Sequence, residues 1–257
     1  MSETTMTGVI LAAGAGTRFN GGGVQPKCLA AFDGRPLIEL QVRAMRACGI
    51  DDIAVVVGFE AECVRQACGP RVQFIENLRF TETNSLYSLW LARTVLQDGF
   101  VVMNCDVLFP TVMFADLLTA RHPNALLVSY PEPDDPEFSD EEMKVHVRKG
   151  RVVGIGKNLP PTETDGENVG IVKFGAEGAR RLIQLMDGIV GSGSVRDWAP
   201  RAFGEFAREN PLYAVGTRGL PWTEIDTPED YTRAVTRVFP AIRAATAGDV
   251  KRTLVGA

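Results

Sequence analysis

The feature that most constrains this 257-residue chain is its first apolar run and the way that run ends. Gly8-Val9-Ile10-Leu11-Ala12-Ala13 is too short for a typical helix and shows no polar alternation, so it reads as a strand buried on both faces. It breaks into Gly14-Ala15-Gly16-Thr17-Arg18, and after seven more residues Pro26-Lys27 follows. A loop that leaves a buried parallel strand lies at the carboxyl edge of its sheet, where open α/β folds bind ligands. Glycines carry no Cβ, so their N–H groups can turn onto phosphate oxygens. Arg18 and Lys27 add fixed positive charge against a polyphosphate. No Gly-Lys-Ser or Gly-Lys-Thr follows, which excludes a P-loop, and the third glycine of the dinucleotide pattern is missing.

The remaining periodicities give the fold class. Residues 37–48 repeat apolar positions at helical spacing and stop at Gly49; Ile53–Val57 is a second buried run closed by Gly58. A helix near 60–68, a strand near 72–75, an amphipathic stretch over 83–96 and a strand over 100–103 follow. Buried strands alternating with amphipathic helices predict a Rossmann-like, three-layer α/β/α fold on a mostly parallel mixed sheet. Residues 131–140, rich in Pro, Asp and Glu, read as an exposed loop. Lys149-Gly150, between apolar runs at 144–147 and 151–155, signals a β-hairpin, expected as a small acceptor lobe. A strand over 169–174, helices over 176–187 and 197–208, and strands at 213–215 and 222–225 complete the pattern. Thr227, Pro228 and Asp230 mark the start of a last helix, with Thr227 as N-cap and Asp230 as capping-box acid. The whole reads as one domain, with about residues 1–130 as the NTP-binding half and about 131–257 as the acceptor-binding half and C-terminal helix.

Composition removes several function classes. A net charge of −5 provides no global basic field for nucleic acid. No apolar run approaches the ~18–20 residues of a membrane span, and the polar Met1–Thr7 lacks the pattern of a signal peptide. Five scattered cysteines suit reduced thiols, and together these traits predict a cytoplasmic protein. Cys63 and Cys68 lack the spacing of a zinc pair, and two histidines leave little material for a Ser-His-Asp mechanism. A monomer and a homodimer both stay open.

With Arg18 and Pro26-Lys27 in place, the chain resembles the sugar-phosphate nucleotidyltransferase superfamily, whose signature is Leu-Ala-Ala-Gly-x-Gly-(Ser/Thr)-Arg, a variable gap and Pro-Lys. The resemblance implies that Leu11, Ala12, Ala13, Gly14, Gly16 and Thr17 hold the nucleotide, that Arg18 grips the triphosphate, and that Lys27 stabilises the α-phosphate. Asn20-Gly21-Gly22-Gly23 departs from the pattern and reads as a flap. Asp106, at the end of the buried run Val101–Asn104-Cys105, is well placed for Mg²⁺. The family often has Asp-x-Asp here; this chain keeps only the second acid. The family's closing motif, a strand that ends in Asp before the final helix, resembles Trp222–Tyr231 and makes Asp226 the second metal ligand.

Glu82–Ala92, Glu141–Val145 and Gly166–Ile171 resemble the CTP:phosphocholine cytidylyltransferases and their phosphonate-using relatives. That subgroup implies CTP and a small phosphorylated or phosphonate acceptor as partners. Asn84 and Ser85 become candidates for reading the base, with Glu76 as a further one; capping of a helix is an equally good account of Asn84-Ser85. Lys144 and Glu167 fall to the acceptor side, Lys144 as a catalytic cation for its phosphate. Period-2 counting puts Trp222, Glu224 and Asp226 on one strand face, with i+2 neighbours roughly 6.6 Å apart along the strand. Asp226 would then hold metal, Glu224 an alkyl ammonium, and Trp222 a cation–π contact. Two alternatives remain: a sugar-1-phosphate or inositol phosphate acceptor, and a nucleotide-binding regulator without turnover.

Overall fold

The computed structural model describes residues 6–20, 25–132 and 138–245. In chain order the elements are β1 (Thr7–Ala12), α1 (Thr17–Asn20), β2 (Ala31–Phe32), β3 (Arg35–Pro36), α2 (Leu37–Ala47), β4 (Ile53–Val57), α3 (Ala61–Cys68), β5 (Gln73–Glu76) and α4 (Ser85–Leu91). Next come β6 (Gly99–Asn104), β7 (Val107–Leu108), α5 (Thr111–Thr119), β8 (Ala125–Ser129), β9 (Lys144–Arg148), β10 (Arg151–Gly156) and β11 (Gly166–Gly175). The chain continues through α6 (Ala176–Gly191), α7 (Ala199–Glu209), β12 (Tyr213–Gly216), β13 (Thr223–Glu224) and α8 (Pro228–Arg233). A π-helical stretch, Ala234–Val238, prolongs α8.

Nine strands form one sheet in the order β5-β4-β1-β6-β11-β8-β12-β10-β9. Its first four strands are parallel, and β11 enters antiparallel between β6 and β8. Parallel pairing returns between β8 and β12, whereas β10 and β9 are antiparallel additions. Because β9 also pairs with β11, strands β11, β8, β12, β10 and β9 close into a circuit. The hairpin expected as a separate lobe is therefore part of the main sheet, fastened at both of its edges. The sequence reading assigns nothing to 111–129, where the structure adds α5 and the interior strand β8.

Side-chain alternation builds the layers. In β1, Val9 and Leu11 face one core while Ile10 and Ala12 face the other, and β6 repeats this with Phe100 and Val102 against Val101 and Met103. The first core is covered by α4, α6 and α7 and the second by α2, α3 and α5, which gives the expected three layers. Phe174, fully buried on β11, stacks on Phe100 with centroids 5.4 Å apart and meets Phe203 and Phe206 of α7 at 5.6 and 5.0 Å. Aromatic packing of this kind pins α7 to the sheet.

A third, smaller cluster joins Ala30, Phe32, Leu37, Leu108, Ile225 and Ala234. Tyr231 reinforces it: its ring lies edge-on to Phe19 and Phe32, and its hydroxyl donates to Ala31 O at 2.8 Å. The cluster binds the segment after Lys27 to the segment around Asp226. The capping box expected at Thr227 is present, with Asp230 Oδ2 accepting from Thr227 N and Thr227 Oγ1 accepting from Asp230 N. No helix among the described residues is long and apolar enough to cross a membrane. Phe174→Ala should cost about 3–5 kcal/mol of unfolding free energy in urea titrations; a loss below about 1 kcal/mol would show that the aromatic cluster does not anchor α7.

Candidate active site

Gly14, Asn77 and Asp106 leave the carboxyl ends of β1, β5 and β6 and meet at one cleft of about 300 Å³. Its lining includes Leu11, Ala13, Gly14, Gly16, Arg18, Lys27, Asn84, Ser85, Asp106, Glu224 and Asp226. Nothing would obstruct a Cβ at Gly14, so its backbone faces open space. Gly16 is different: its φ is +58°, and a Cβ there would fall 2.6 Å from Lys27 Cγ. The glycine is needed both for the turn and for the lysine stem that crosses it.

Two acids distant in sequence are brought together by a short ladder. β7 pairs antiparallel with β13, Leu108 opposite Thr223 and Val107 opposite Glu224, and Ile225 N donates to Asp106 O at 3.0 Å. The Lys27 ammonium then ion-pairs with Asp226 and stands 3.7 Å from Asp106 Oδ2. Burial opposes the charge on Lys27, but Asp106 and Asp226 outweigh it and hold its pKa above the ordinary lysine value. Burial pushes the Asp106 carboxyl up, and Lys27 partly offsets this. Asp106 Oδ1 is buried with no hydrogen-bond partner. A buried carboxylate oxygen left unpaired is costly unless a cation occupies the gap. Asp106 and Asp226 therefore have the donor chemistry of a two-carboxylate site for a hard cation. Among the described residues no set of three or more His, Cys, Asp or Glu side chains converges as metal ligands.

A chain of charge continues across the mouth. Arg18 donates to Asp226 at 3.2 Å and to Glu141 at 3.1 Å, and the same Glu141 oxygen accepts from Lys157 at 3.2 Å. The Lys157 ammonium also lies 5.0 Å above the ring of Trp198, which is half exposed. Deeper in, burial and the charges of Asp106, Glu167 and Asp226 hold the Glu224 carboxyl well above the usual carboxylate range. Burial, with Glu142 nearby, pushes Glu167 up to about 7.

Comparison with known proteins matches residues 8–252 to the MobA-like NTP transferase domain. The chain belongs to that family. A bifunctional IPC transferase and DIPP synthase of Rubrobacter xylanophilus is 31% identical over 250 residues, which cover 95% of this chain and 54% of that relative. The chain thus spans about half the length of that relative. A 2-aminoethylphosphonate cytidylyltransferase of Lancefieldella rimae is 29% identical over 189 residues, 69% of this chain and 70% of its own. The solved structure of a CTP:phosphocholine cytidylyltransferase from Streptococcus pneumoniae has a TM-score of 0.73 at 25% identity and covers 89% of this chain and 97% of its own. This NTP transferase is accordingly an enzyme of the nucleotidyltransferase class.

Several residues expected at the site lie elsewhere. Lys144 is buried, and its ammonium donates to Lys157 O at 2.9 Å, with Asp140 3.9 Å away; it does not line the cleft. The hairpin's cation in the cleft is Lys157, which follows β10 beside Lys144 at the hairpin's open end. Lys157 lies in the turn after β10, outside the strand alternation that singled out Lys144. Trp222 packs against the core and donates from its indole N–H to Ser129 Oγ at 3.1 Å. β13 is only two residues long, so alternation does not extend back to Trp222, while Glu224 and Asp226 do reach the cleft. Glu76 pairs with Arg65 at 3.0 Å outside the cleft, and Ala12, Thr17 and Glu167 are likewise absent from its lining. Residues 21–23 of the expected flap lie outside the described residues, as do 133–137 of the expected loop.

Gln41 of this NTP transferase is also missing from the sequence reading. It is buried on α2, and its Nε2 donates to Asn104 O and Val107 O, both at 2.9 Å, which clamps the turn that carries Asp106. Only its buried position in a helix hints at this role.

The raised pKa of Glu167 has a definite sign. The folded state holds the proton more tightly than the unfolded chain, so stability falls as pH rises from the ordinary carboxylate range through about 7. Glu167→Gln should therefore raise Tm at pH 8 by a few degrees, at roughly 2–4 °C per kcal/mol, and change it little at pH 4. Parallel Tm–pH curves for the two proteins would contradict that assignment.

Proposed function

We propose that this nucleotidyltransferase uses CTP and Mg²⁺ to place CMP on a small phosphate or phosphonate acceptor that bears an ammonium group, with pyrophosphate as the other product. The observation that carries the reading is the Lys27 ammonium beside Asp106 and Asp226 under the Gly14–Gly16 loop, with Asp106 Oδ1 unpaired. Asp106 and Asp226 would hold the divalent ion. Bound there, a divalent ion would supply charge neutralisation to the reacting anions.

The chain's own groups do the rest. Gly14 offers backbone that faces open space for phosphate, and Gly16 supplies the turn over which the Lys27 stem crosses. Arg18 and Lys27 are paired with carboxylates in this state, and phosphate oxygens compete for the same donors. Lys27, half-enclosed and held cationic, is placed to stabilise charge that grows at the α-phosphorus. The acceptor's phosphate is already ionised at neutral pH, so the attack needs no general base, in keeping with a cleft that contains no histidine. Catalysis then rests on holding two anions together and compensating their charge.

Glu224 supports an acceptor with a cationic end. Asp106, Glu167 and Asp226 favour its protonated form, and an ammonium brought beside it would favour the carboxylate. The aromatic residue that lines the cleft is Trp198, in place of Trp222, and its ring carries the Lys157 ammonium. Lys157, above the same ring, is the natural partner of the acceptor's phosphate or phosphonate. The relatives named for phosphocholine and 2-aminoethylphosphonate agree with this class.

A pyrophosphate-release matrix of four NTPs against phosphocholine, aminoethylphosphonate, inositol 1-phosphate and several sugar 1-phosphates tests the reading. Turnover should be greatest with CTP and an aminoalkyl acceptor; turnover confined to polyol or sugar phosphates would overturn the acceptor class, and no turnover would overturn the reaction. Lys27→Ala should lower kcat by roughly 10²-fold or more and leave the KM for CTP within a few-fold. A raised KM with kcat intact would remove Lys27 from the transition state.

A further inference from the structure

Two helices start at the rim of the cleft, and each has N–H groups of its first turn met from the other's side. α7 begins after Trp198, whose side chain makes no capping hydrogen bond. Within the first turn of α7, Pro200 carries no N–H and Arg201 N turns back to Trp198 O at 3.0 Å. That leaves Ala199 N, on a residue only 2% exposed. A buried N–H without a partner is costly, and here the partner comes from α4: Ser85 Oγ accepts from Ala199 N at 2.9 Å.

The exchange is mutual. Leu86 N, in the first turn of α4, donates to Asp197 O at 3.2 Å, and Asn84 N donates to Val195 O at 3.0 Å. Arg196 Nε adds a bond to Glu82 O at 3.3 Å. Residues 195–199 and 82–86 thus form one seam, to which α4 contributes the Ser85 hydroxyl as its side-chain link. The seam carries Trp198. Its neighbours Asp197 and Ala199 are both tied to α4, whereas its own ring is half exposed, lines the cleft and bears the Lys157 ammonium 5.0 Å away. Backbone anchored on both sides of a half-exposed ring fixes where that ring stands.

We propose that Ser85 is a positioning residue for the acceptor: its hydroxyl, a cap lent by α4 to α7, holds Trp198, and with it Lys157, at the acceptor end of the cleft. The inference rests on the reading of Lys157 as the partner of the acceptor's phosphate or phosphonate. Ser85, expected from sequence to serve the base, then serves the other substrate. The two roles differ in the constant they move. A residue that touches the base changes the KM for the nucleotide, whereas one that acts through Trp198 changes the KM for the acceptor. The main-chain bonds of the seam survive any substitution of the Ser85 side chain, so removal of the hydroxyl loosens the segment without detaching it.

Hydrogen–deuterium exchange and steady-state kinetics of Ser85→Ala test this together, with phosphocholine and aminoethylphosphonate as acceptors. Amide exchange across residues 196–201 should quicken roughly fivefold, with the rest of the protein little changed. The KM for the acceptor should rise roughly fivefold, while the KM for CTP stays within about twofold. Ser85→Thr, which keeps a hydroxyl, should restore both the protection and the acceptor KM. Unaltered exchange in Ser85→Ala would overturn the proposal. Faster exchange with an unchanged acceptor KM would make the bond purely structural, and a rise confined to the KM for CTP would return Ser85 to the base; either result overturns it too. Wild-type turnover of neither acceptor would remove the acceptor reading and the proposal with it, whereas the other contrary results leave that reading in place.

Discussion

The site depends on one electrostatic compensation: a single ammonium, Lys27, held between two carboxylates that the fold brings to the same point. Asp106 comes from the end of an interior strand and Asp226 from the approach to the last helix. Without a cation between them, mutual repulsion and burial would disfavour the charged pair or push the strands apart. The raised carboxyl of Asp106 and its unpaired oxygen show that one lysine compensates only part of this charge. We propose that this residual deficit makes the cleft receptive to a further cation.

Geometry for this compensation is supplied by parts that, Glu224 of β13 apart, do not line the cleft. The β7–β13 ladder sets the height of Asp226 relative to Asp106, and Gln41 fixes the turn between β6 and β7 from below. Tyr231, Phe32 and Phe19 bind the Lys27 segment to the helix that follows Asp226. Asp230 closes the arrangement, since its carboxylate accepts from both Asp226 N and Thr227 N, at 3.2 and 2.9 Å. A helix cap is in this way also a support for a site residue. Packing and charge thus act at different scales: the aromatic cluster fixes the segments, and the ion pairs settle the final ångströms.

What could be read from sequence was local. Gly14, Gly16, Arg18, Lys27 and Asp106 lie next to strand ends whose apolar runs are unmistakable, and Asp226 stands beside a capping box with a clear pattern. Where the reading failed, the deciding contact was nonlocal. Lys144 opens β9 and Lys157 follows the end of β10, and the Lys144 ammonium is engaged by Lys157 O and does not line the cleft. Trp222 was counted onto a strand that exists for two residues only. α5 is apolar on most of its surface and has no acid in its first turn or base in its last, so the usual start and stop signals were missing.

The central claim is that the Asp106–Asp226 pair retains an unmet demand for a cation. Electron paramagnetic resonance of Mn²⁺ in the presence of CTP measures that demand directly, apart from any turnover. The account predicts a bound Mn²⁺ signal for the wild-type protein and at least roughly tenfold weaker binding in Asp106→Asn and in Asp226→Asn, with both variants still folded. Mn²⁺ affinity that stays the same after either substitution would contradict it.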